Sequence, residues 1–287
     1  MSTLDPRTTT ARGATHRPAR TLALGLERAR YEIRQYFRAG DALFFTFLFP
    51  TVMFVIFAAA LGSGEVGADA HGHGGISIAA YYLPGLVAAG IVLSGIQSLG
   101  IDIAGERSDG TLKRLGGSPL PVVSYFLGKV GMVLATAVAQ LALLLTVARL
   151  VFGVALPASG ALWARFAGIF LLSILMSVVL GIAISGLPRS GRSASAVIVP
   201  ILLVLQFISG VYFRFADLPG WLQNVAGIFP LKWIAQGMRS VFLPDRFAAA
   251  EQTGTWDLGM MALMLVGWTV LGLVVARLTF RWVRRDG

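Results

Sequence analysis

The chain has 287 residues, of which 56% are apolar and only 13% are charged, and its mean hydropathy is +0.74. These values exclude an ordinary soluble domain and indicate an integral membrane protein. The formal charge is +10, but no basic face alternates with exposed aromatic residues, which argues against a nucleic-acid-binding protein. The chain has no cysteine, so disulfides, thiolate metal sites and thiol catalysis are excluded as well.

The first 20 residues are rich in Thr, Arg and Ala and contain one acidic residue, Asp5. This composition cannot bury a core and predicts a disordered cytoplasmic tail over 1–20. An organelle transit peptide, also basic and poor in acidic residues, is the alternative. The following segment, 21–38, predicts an amphipathic helix lying in the membrane interface. Its apolar stripe at helical spacing consists of Leu22, Leu26, Ala29, Ile33 and Tyr36.

Six further segments are long and apolar enough to cross a hydrocarbon layer about 30 Å thick. They run approximately over 42–62, 78–101, 122–153, 162–187, 194–213 and 256–280. With both termini in the cytoplasm, 18 of the 24 basic residues flank the cytoplasmic side, as the positive-inside rule requires. The sequence therefore predicts an all-α polytopic membrane protein, with a single transmembrane domain of six spans over 21–287.

The loop after the first span places His71 and His73 near Asp69, and these residue types can bind a metal. Glycine surrounds them, which favours a flexible solvated loop. We therefore predict no metal site.

A polar interval over 102–121 separates the second and third spans. Gly110 can take a positive φ without a Cβ penalty and so ends one helix and turns the chain. Thr111 is then a candidate N-cap for a short helix over 112–115, which Gly116 and Gly117 terminate. The next helix is predicted to begin with Ser118 as its N-cap and Pro119 as its first residue.

Two interpretations of this interval remain open from the residues alone. It can be an interfacial loop in which Arg and Lys side chains anchor lipid headgroups. It can also be a short helix at the membrane face, with Leu112 and Leu115 on one side and Lys113 and Arg114 available to a soluble partner.

The string E-R-S-D-G-T-L-K-R-L-G-G-S-P-L from Glu106, followed by F-L-G-K ending at Lys129, resembles the first cytoplasmic loop of type-2 ABC exporter permeases. In that family this loop is the coupling helix that docks on the ATPase subunit. Lys113 departs from the family pattern, which usually has Glu there. The resemblance implies that Glu106 braces the second span, Thr111 caps the helix, and the leucines fill a groove on the partner. The docking residues it implies are Glu106, Gly110, Thr111, Leu112, Arg114 and Leu115.

The segment after the fifth span is too broken by Pro219, Pro230 and Pro244 to cross a membrane, yet too apolar for a free loop. It predicts two short re-entrant helices before the last span. Its strings S-G-V-Y-F, L-P-G-W-L and F-P-L-K-W-I-A-Q-G-M-R are similar to the second half of the same permeases, so the resemblance reaches the C-terminus.

The chain contains no G-x-x-x-x-G-K-[ST] motif, since Val123 and Val130 stand where a phosphate-binding loop around Gly128 and Lys129 needs Gly and Ser or Thr. We therefore expect that this chain binds no cofactor and that a partner ATPase subunit binds ATP and Mg²⁺. The resemblance implies an exporter subunit in the bacterial plasma membrane, working with two ATPase copies and a second or sister permease. Amphipathic drugs (hence antibiotic resistance), lipids and lipid-linked glycans are its implied substrates. An intramembrane lipid-modifying enzyme and a passive channel or scaffold are the alternatives.

Polar residues inside the predicted spans are candidates for the substrate pathway. Such side chains usually hold helices together through hydrogen bonds, and that structural role is the alternative. The candidates are Gln97, Gln140 and Gln206, with Phe207, Tyr212 and Met176 as an adaptable apolar wall.

Overall fold

The structure is a computed structural model that describes residues 18–40, 43–61, 64–67, 74–118, 120–188 and 190–279. Most of this part of the chain is helical, which confirms the all-α class. Within it, the strands are limited to a two-stranded antiparallel hairpin of β1 (Glu65–Val66) and β2 (Ile76–Ser77). Asp69, His71 and His73, for which we predict no metal site, lie outside the described residues.

Helix α1 spans Pro18–Tyr36 and packs along α6 (Val122–Leu150). The predicted disordered tail is therefore wrong for residues 18–20, while residues 1–17 lie outside the described part. Leu22 and Leu26 of the predicted apolar stripe are 57% and 67% exposed, whereas Ala29 and Tyr36 are buried within this chain. Exposed apolar side chains are compatible with a helix in the membrane interface, so that position of α1 stays a prediction. The close approach to α6 selects small residues.

Gly25 and Ala29 provide the close approach between α1 and α6. A Cβ added at Gly25 would lie 2.9 Å from the Cβ of Leu127, and one added at Gly131 would lie 2.8 Å from the Cβ of Ala29. The helix axes can come this close because a glycine faces the other helix at each of these contacts. This contact sets which residues of α1 enter the core.

The predicted first span is a π-helical segment, Leu43–Leu48, followed by α2, Phe49–Ala60. Pro50 in the first turn of α2 is compatible with a helix start. The α-helical part has only 12 residues, fewer than a straight crossing requires. Whether residues 42–62 form a sixth membrane crossing therefore stays a prediction.

The centre of the fold is one continuous helical stretch of 31 residues, Ile78–Ser108. It consists of α3 (Ile78–Val92), a π-helical segment (Leu93–Ser98) and α4 (Leu99–Ser108). The Ser77 side chain accepts a hydrogen bond from the Ala80 N–H and so satisfies a free donor at the helix start. Residues 83–92 of α3 are all buried, which makes this helix the core around which the other helices pack.

Four more described helices are long and apolar enough to cross a membrane, so five of the six predicted spans are supported by length and composition. They are α6, α7 (Gly160–Ile184), α8 (Gly191–Ile208) and α11 (Leu258–Thr279). Ser159 caps α7, and Ser190 with Ser193 forms a capping box for α8.

Two short helices do precede the last span: α9 (Gly220–Ala226) and α10 (Pro230–Phe242). Single 3₁₀ segments, Phe215–Asp217 and Asp245–Ala250, flank them. Residues 230–241 of α10 are all buried, mainly against α3, α7 and α11. Their re-entry into the membrane stays a prediction.

Candidate functional site

The polar interval folds as helix, tight turn and short helix. Helix α4 ends at Ser108, Gly110 takes φ +78°, and α5 spans Thr111–Gly116. The prediction that Thr111 is the N-cap is wrong, because Gly110 holds that position. The Asp109 carboxylate accepts the Thr111 N–H at 2.8 Å. The hydrogen bonds from Thr111 lower the pKa of the Asp109 carboxyl below its ordinary value.

The next helix, α6, begins at Val122, so the prediction that Ser118 caps it is wrong. Ser118 instead donates its hydroxyl to the Leu115 carbonyl at 2.7 Å and thus closes the end of α5. Pro121 occupies the position before α6, where its fixed φ and missing N–H are tolerated. Pro119 lies outside the described residues.

The two leucines of α5 do not face outward. Leu112 is 3% exposed and belongs to the core of this chain, and Leu115 is half-buried against it. The prediction that Leu112 fills a groove on a partner is therefore wrong, because this side chain is already covered by its own chain. Lys113 and Arg114 are exposed. The outward surface of α5 is basic rather than apolar.

Glu106 lies one turn before this loop and connects three helices. Its Oε1 accepts from Arg28 of α1 and from Lys129 of α6, each at 2.9 Å. Its Oε2 accepts the Tyr125 hydroxyl at 2.6 Å. The carboxylate is buried, and hydrogen bonds from charged donors are the kind that offset the cost of burying a charge. Glu106 thus ties the end of α4 to both α1 and α6.

Lys129 is the centre of the cluster. Its side chain is fully buried, and its ammonium lies 2.9 Å from Glu32 Oε2 and 2.9 Å from Glu106 Oε1 and also donates to Asp102 Oδ2. Arg28 completes the group with an ion pair to Glu32 at 2.5 Å. We call these five residues, Arg28, Glu32, Asp102, Glu106 and Lys129, the ion cluster.

The carboxylates of Glu32, Asp102 and Glu106 are close enough together to hold a metal ion. The Lys129 ammonium already donates to all three, so it takes the place that an ion would occupy. Burial raises the pKa of the Glu32 carboxyl above its ordinary value, although Lys129 acts in the opposite direction.

Most of the ion cluster was missed in the sequence analysis. Two signals pointed to it: Lys129 lies inside an otherwise apolar span, and ionisable residues in spans are costly enough to be functional by default. Glu32 also stands between Ala29 and Ile33 on the apolar stripe of α1.

A second loop contacts the polar interval. The Arg107 guanidinium donates to the Pro188 carbonyl at 2.8 Å, just before α8. A Cβ added at Gly191 would lie 2.6 Å from the Ser108 hydroxyl oxygen, so the start of α8 lies against the end of α4. The connection between α7 and α8 therefore lies on the same face of the molecule as α5.

A cleft of about 510 Å³ opens beside the ion cluster. Glu32 and Asp102 lie at its polar end, and Gln97 and Gln206 also line it. The structure thus brings together two of the three predicted glutamines. Tyr212 does not line the cleft but donates its hydroxyl to Gln206 at 2.6 Å. Phe207 packs on Tyr212 and is exposed.

The remaining candidates lie elsewhere. Gln140 is 2% exposed and accepts the Ser94 hydroxyl at 3.1 Å, so its contacts are those of a structural residue that joins α6 to the central helix. Met176 is fully buried in α7. Neither side chain reaches the cleft.

Comparison with known proteins decides the family. Residues 29–243 match the sequence profile of the ABC-2 type transporter family. The chain belongs to this family. A probable multidrug ABC transporter permease, YbhR, of Escherichia coli strain K12 is similar to it, with 27% identity over 153 residues. The same match is found with YbhR of E. coli O157:H7. The match covers 53% of this chain and 41% of each relative, so the chain spans less than half of the curated relatives it matches.

This ABC-2 type protein is accordingly a multi-pass membrane protein. The family resemblance predicted from the loop around Glu106 is confirmed.

Proposed function

We propose that this chain is the permease subunit of an exporter that moves amphipathic compounds out across the bacterial plasma membrane. A separate ATPase, in two copies, supplies the energy, and a second copy of this chain or a sister permease completes the pathway. Family membership and the similarity to a probable multidrug permease support this assignment.

The observation that carries the proposal is the rigid mounting of α5. A docking element can transmit movement only if it does not shift independently of the spans. Glu106 holds the preceding turn to α1 and α6, and Leu112 buries α5 against the core. The exposed Lys113 and Arg114 then offer two positive charges to an acidic surface on the ATPase, where they orient the encounter.

The pathway is the cleft beside the ion cluster. Its exposed lining residues are Gln35 of α1 and Ser195, Val199 and Leu203 of α8. A second permease subunit against this side of α8 would turn the open cleft into an enclosed path. The substrate would enter from the α5 side, which the positive-inside rule places in the cytoplasm.

The direct test uses vesicles that contain the chain and its ATPase. ATP should drive uptake of an amphipathic dye into inverted vesicles, and Lys113→Glu with Arg114→Glu should abolish uptake and co-purification of the ATPase. The matched control is Arg149→Glu, an exposed arginine at the far end of α6. Uptake unchanged by the double reversal would contradict the role of α5.

The orientation has its own test, because the chain contains no cysteine. A maleimide that cannot cross membranes should label Gln252→Cys in intact cells, whereas Gly116→Cys should react only after permeabilisation. Labelling of position 116 from outside would overturn the orientation. The predicted outer position 72 lies outside the described residues.

A further inference from the structure

The cleft has the size and the mixed lining of a small-molecule site. Its volume of about 510 Å³ falls within the usual range of ligand pockets, roughly 300–1,000 Å³. Phe49, Leu93, Ile101 and Met132 supply apolar walls, and the polar groups lie at separate points between them. Such a lining binds the apolar body of a ligand and leaves recognition to a few polar contacts.

Asp102 is the carboxylate that the cleft exposes. Its side chain is 30% exposed, compared with 3% for Glu32 and 9% for Glu106. Oδ2 accepts from Lys129, while Oδ1 has no hydrogen bond to the described residues. One carboxylate oxygen is therefore available at the polar end of the cleft.

Gln97 provides an independent indication of a ligand. It is 6% exposed, it lines the cleft, and its amide has no hydrogen-bond partner among the residues that the structure describes. This amide is therefore available to a polar group of a ligand in the cleft. Gln97 also lies in the π-helical segment Leu93–Ser98, and such segments inside α-helices are frequent at functional sites.

The charged side chains that line the cleft, Glu32 and Asp102, are both acidic. No Lys, Arg or His side chain from the described residues lines it. The ion cluster has three carboxyl groups and two basic groups, so its formal charge is −1 when all are ionised. If Glu32, whose pKa burial raises, binds a proton, the cluster becomes neutral and still does not repel a cation.

We propose that this cleft binds organic cations, with the positive centre beside Asp102 Oδ1, the apolar body between α2 and α8, and a polar group of the ligand at Gln97. The inference deepens the proposed export function and rests on it for its meaning as a transport site. The binding itself requires neither ATPase nor transport.

The test compares two ions of the same shape and opposite charge, tetraphenylphosphonium and tetraphenylborate. Ser195 is exposed and lines the cleft, so Ser195→Cys in this cysteine-free chain places a thiol at its mouth. The rate of maleimide labelling is measured on the full chain in membranes at increasing ion concentrations. Ser118→Cys, at the end of α5 and away from the cleft lining, reports any general effect of each ion.

We expect tetraphenylphosphonium to slow labelling at position 195 but not at 118, and tetraphenylborate to protect neither. Asp102→Asn should raise the half-protecting concentration by at least about tenfold, because one nearby charge is removed. Asp102→Glu should retain protection. Asp217→Asn, an exposed carboxylate in the segment that precedes α9, is the matched control and should change nothing.

Equal protection by both ions, or protection unchanged by Asp102→Asn, would overturn the proposal. If Asp102→Asn fails to insert, the comparison of the two ions on the otherwise unaltered chain still decides. If the unaltered chain shows no ATP-driven dye uptake but tetraphenylphosphonium still slows labelling at position 195, only the exporter function is refuted. Uptake without charge selectivity in the labelling experiment would refute the cation site alone.

Discussion

Lys129, fully buried in α6, lies 2.9 Å from Glu106 at the end of α4. This contact connects the central helix to the helix that follows the α5 loop, and it requires a charge on each side. A lysine within an apolar span is costly when unpaired, so the pair and its neighbours must form together.

Replacing Lys129 should therefore destabilise the chain strongly. Lys129→Met leaves three carboxylates with Arg28 alone, and we expect a loss of about 3–5 kcal/mol, the usual cost of breaking a buried pair. Thermal unfolding in detergent, followed by the loss of monodisperse protein, measures it. The control is Arg149→Met on the same helix, an exposed arginine with one weak contact to a backbone carbonyl at 3.5 Å. Equal unfolding temperatures for both variants would contradict the structural role of the ion cluster.

Gly110 should tolerate few replacements. Its φ of +78° is unfavourable for side chains with a branched Cβ, so Gly110→Val should cost about 1–2 kcal/mol and tilt α5. Gly110→Asn should be milder, because Asn enters this region more readily. We expect co-purification of the ATPase to fall in the order glycine, asparagine, valine.

Gly117 is the matched control for that series. It ends the same helix at φ −85°, a conformation that any residue adopts, and a Cβ there would meet nothing closer than 3.5 Å. Gly117→Ala should leave ATPase binding unchanged. Loss of binding at 117 and not at 110 would reverse this interpretation.

The approach of α1 to α6 should depend on Gly128. A Cβ there would lie 2.9 Å from the Cβ of Arg28 and closer still to its Cγ, so Gly128→Ala should displace Arg28 from Glu106 and cost about 1–3 kcal/mol through overpacking. Gly168→Ala on α7 meets nothing within 4 Å and should be neutral. Unfolding temperatures of the two variants, measured side by side, check this expectation.

Leu112→Ala should act on folding rather than on docking alone. The side chain is 3% exposed, so its removal leaves a cavity and should cost about 2–5 kcal/mol. Unfolding temperature and ATPase binding should therefore fall together. Loss of ATPase binding at unchanged stability would show that Leu112 does contact a partner.

Gln206 should influence which compounds are exported. Gln206→Leu removes the acceptor of the Tyr212 hydroxyl and makes the α8 side of the cleft less polar. We expect export of polar compounds to decline relative to apolar ones, whereas Gln140→Leu should reduce expression without changing selectivity. Identical selectivity profiles for the Gln206 variant and the unaltered chain would refute a pathway role for Gln206.

The helices and the turn at Gly110 could be predicted from the sequence, because apolar length and glycine backbone freedom are local properties. The orientation of α5 could not. A six-residue helix has too few turns to show a periodic face, so Leu112 and Arg114 looked equally available to a partner. The contact of Glu32 with Lys129 was hidden for another reason: it joins residues 97 positions apart, through a helix crossing set by Gly25 and Ala29.

The claim that α5 is the docking surface is tested most directly by site-specific crosslinking in this cysteine-free chain. A photoreactive reagent attached to Lys113→Cys should crosslink to the ATPase, and the same reagent on Arg149→Cys at the opposite end of α6 should not. The crosslink at position 113 should disappear when Gly110→Val is added. Crosslinking from position 149 with none from position 113 would contradict the assignment of α5 as the ATPase contact.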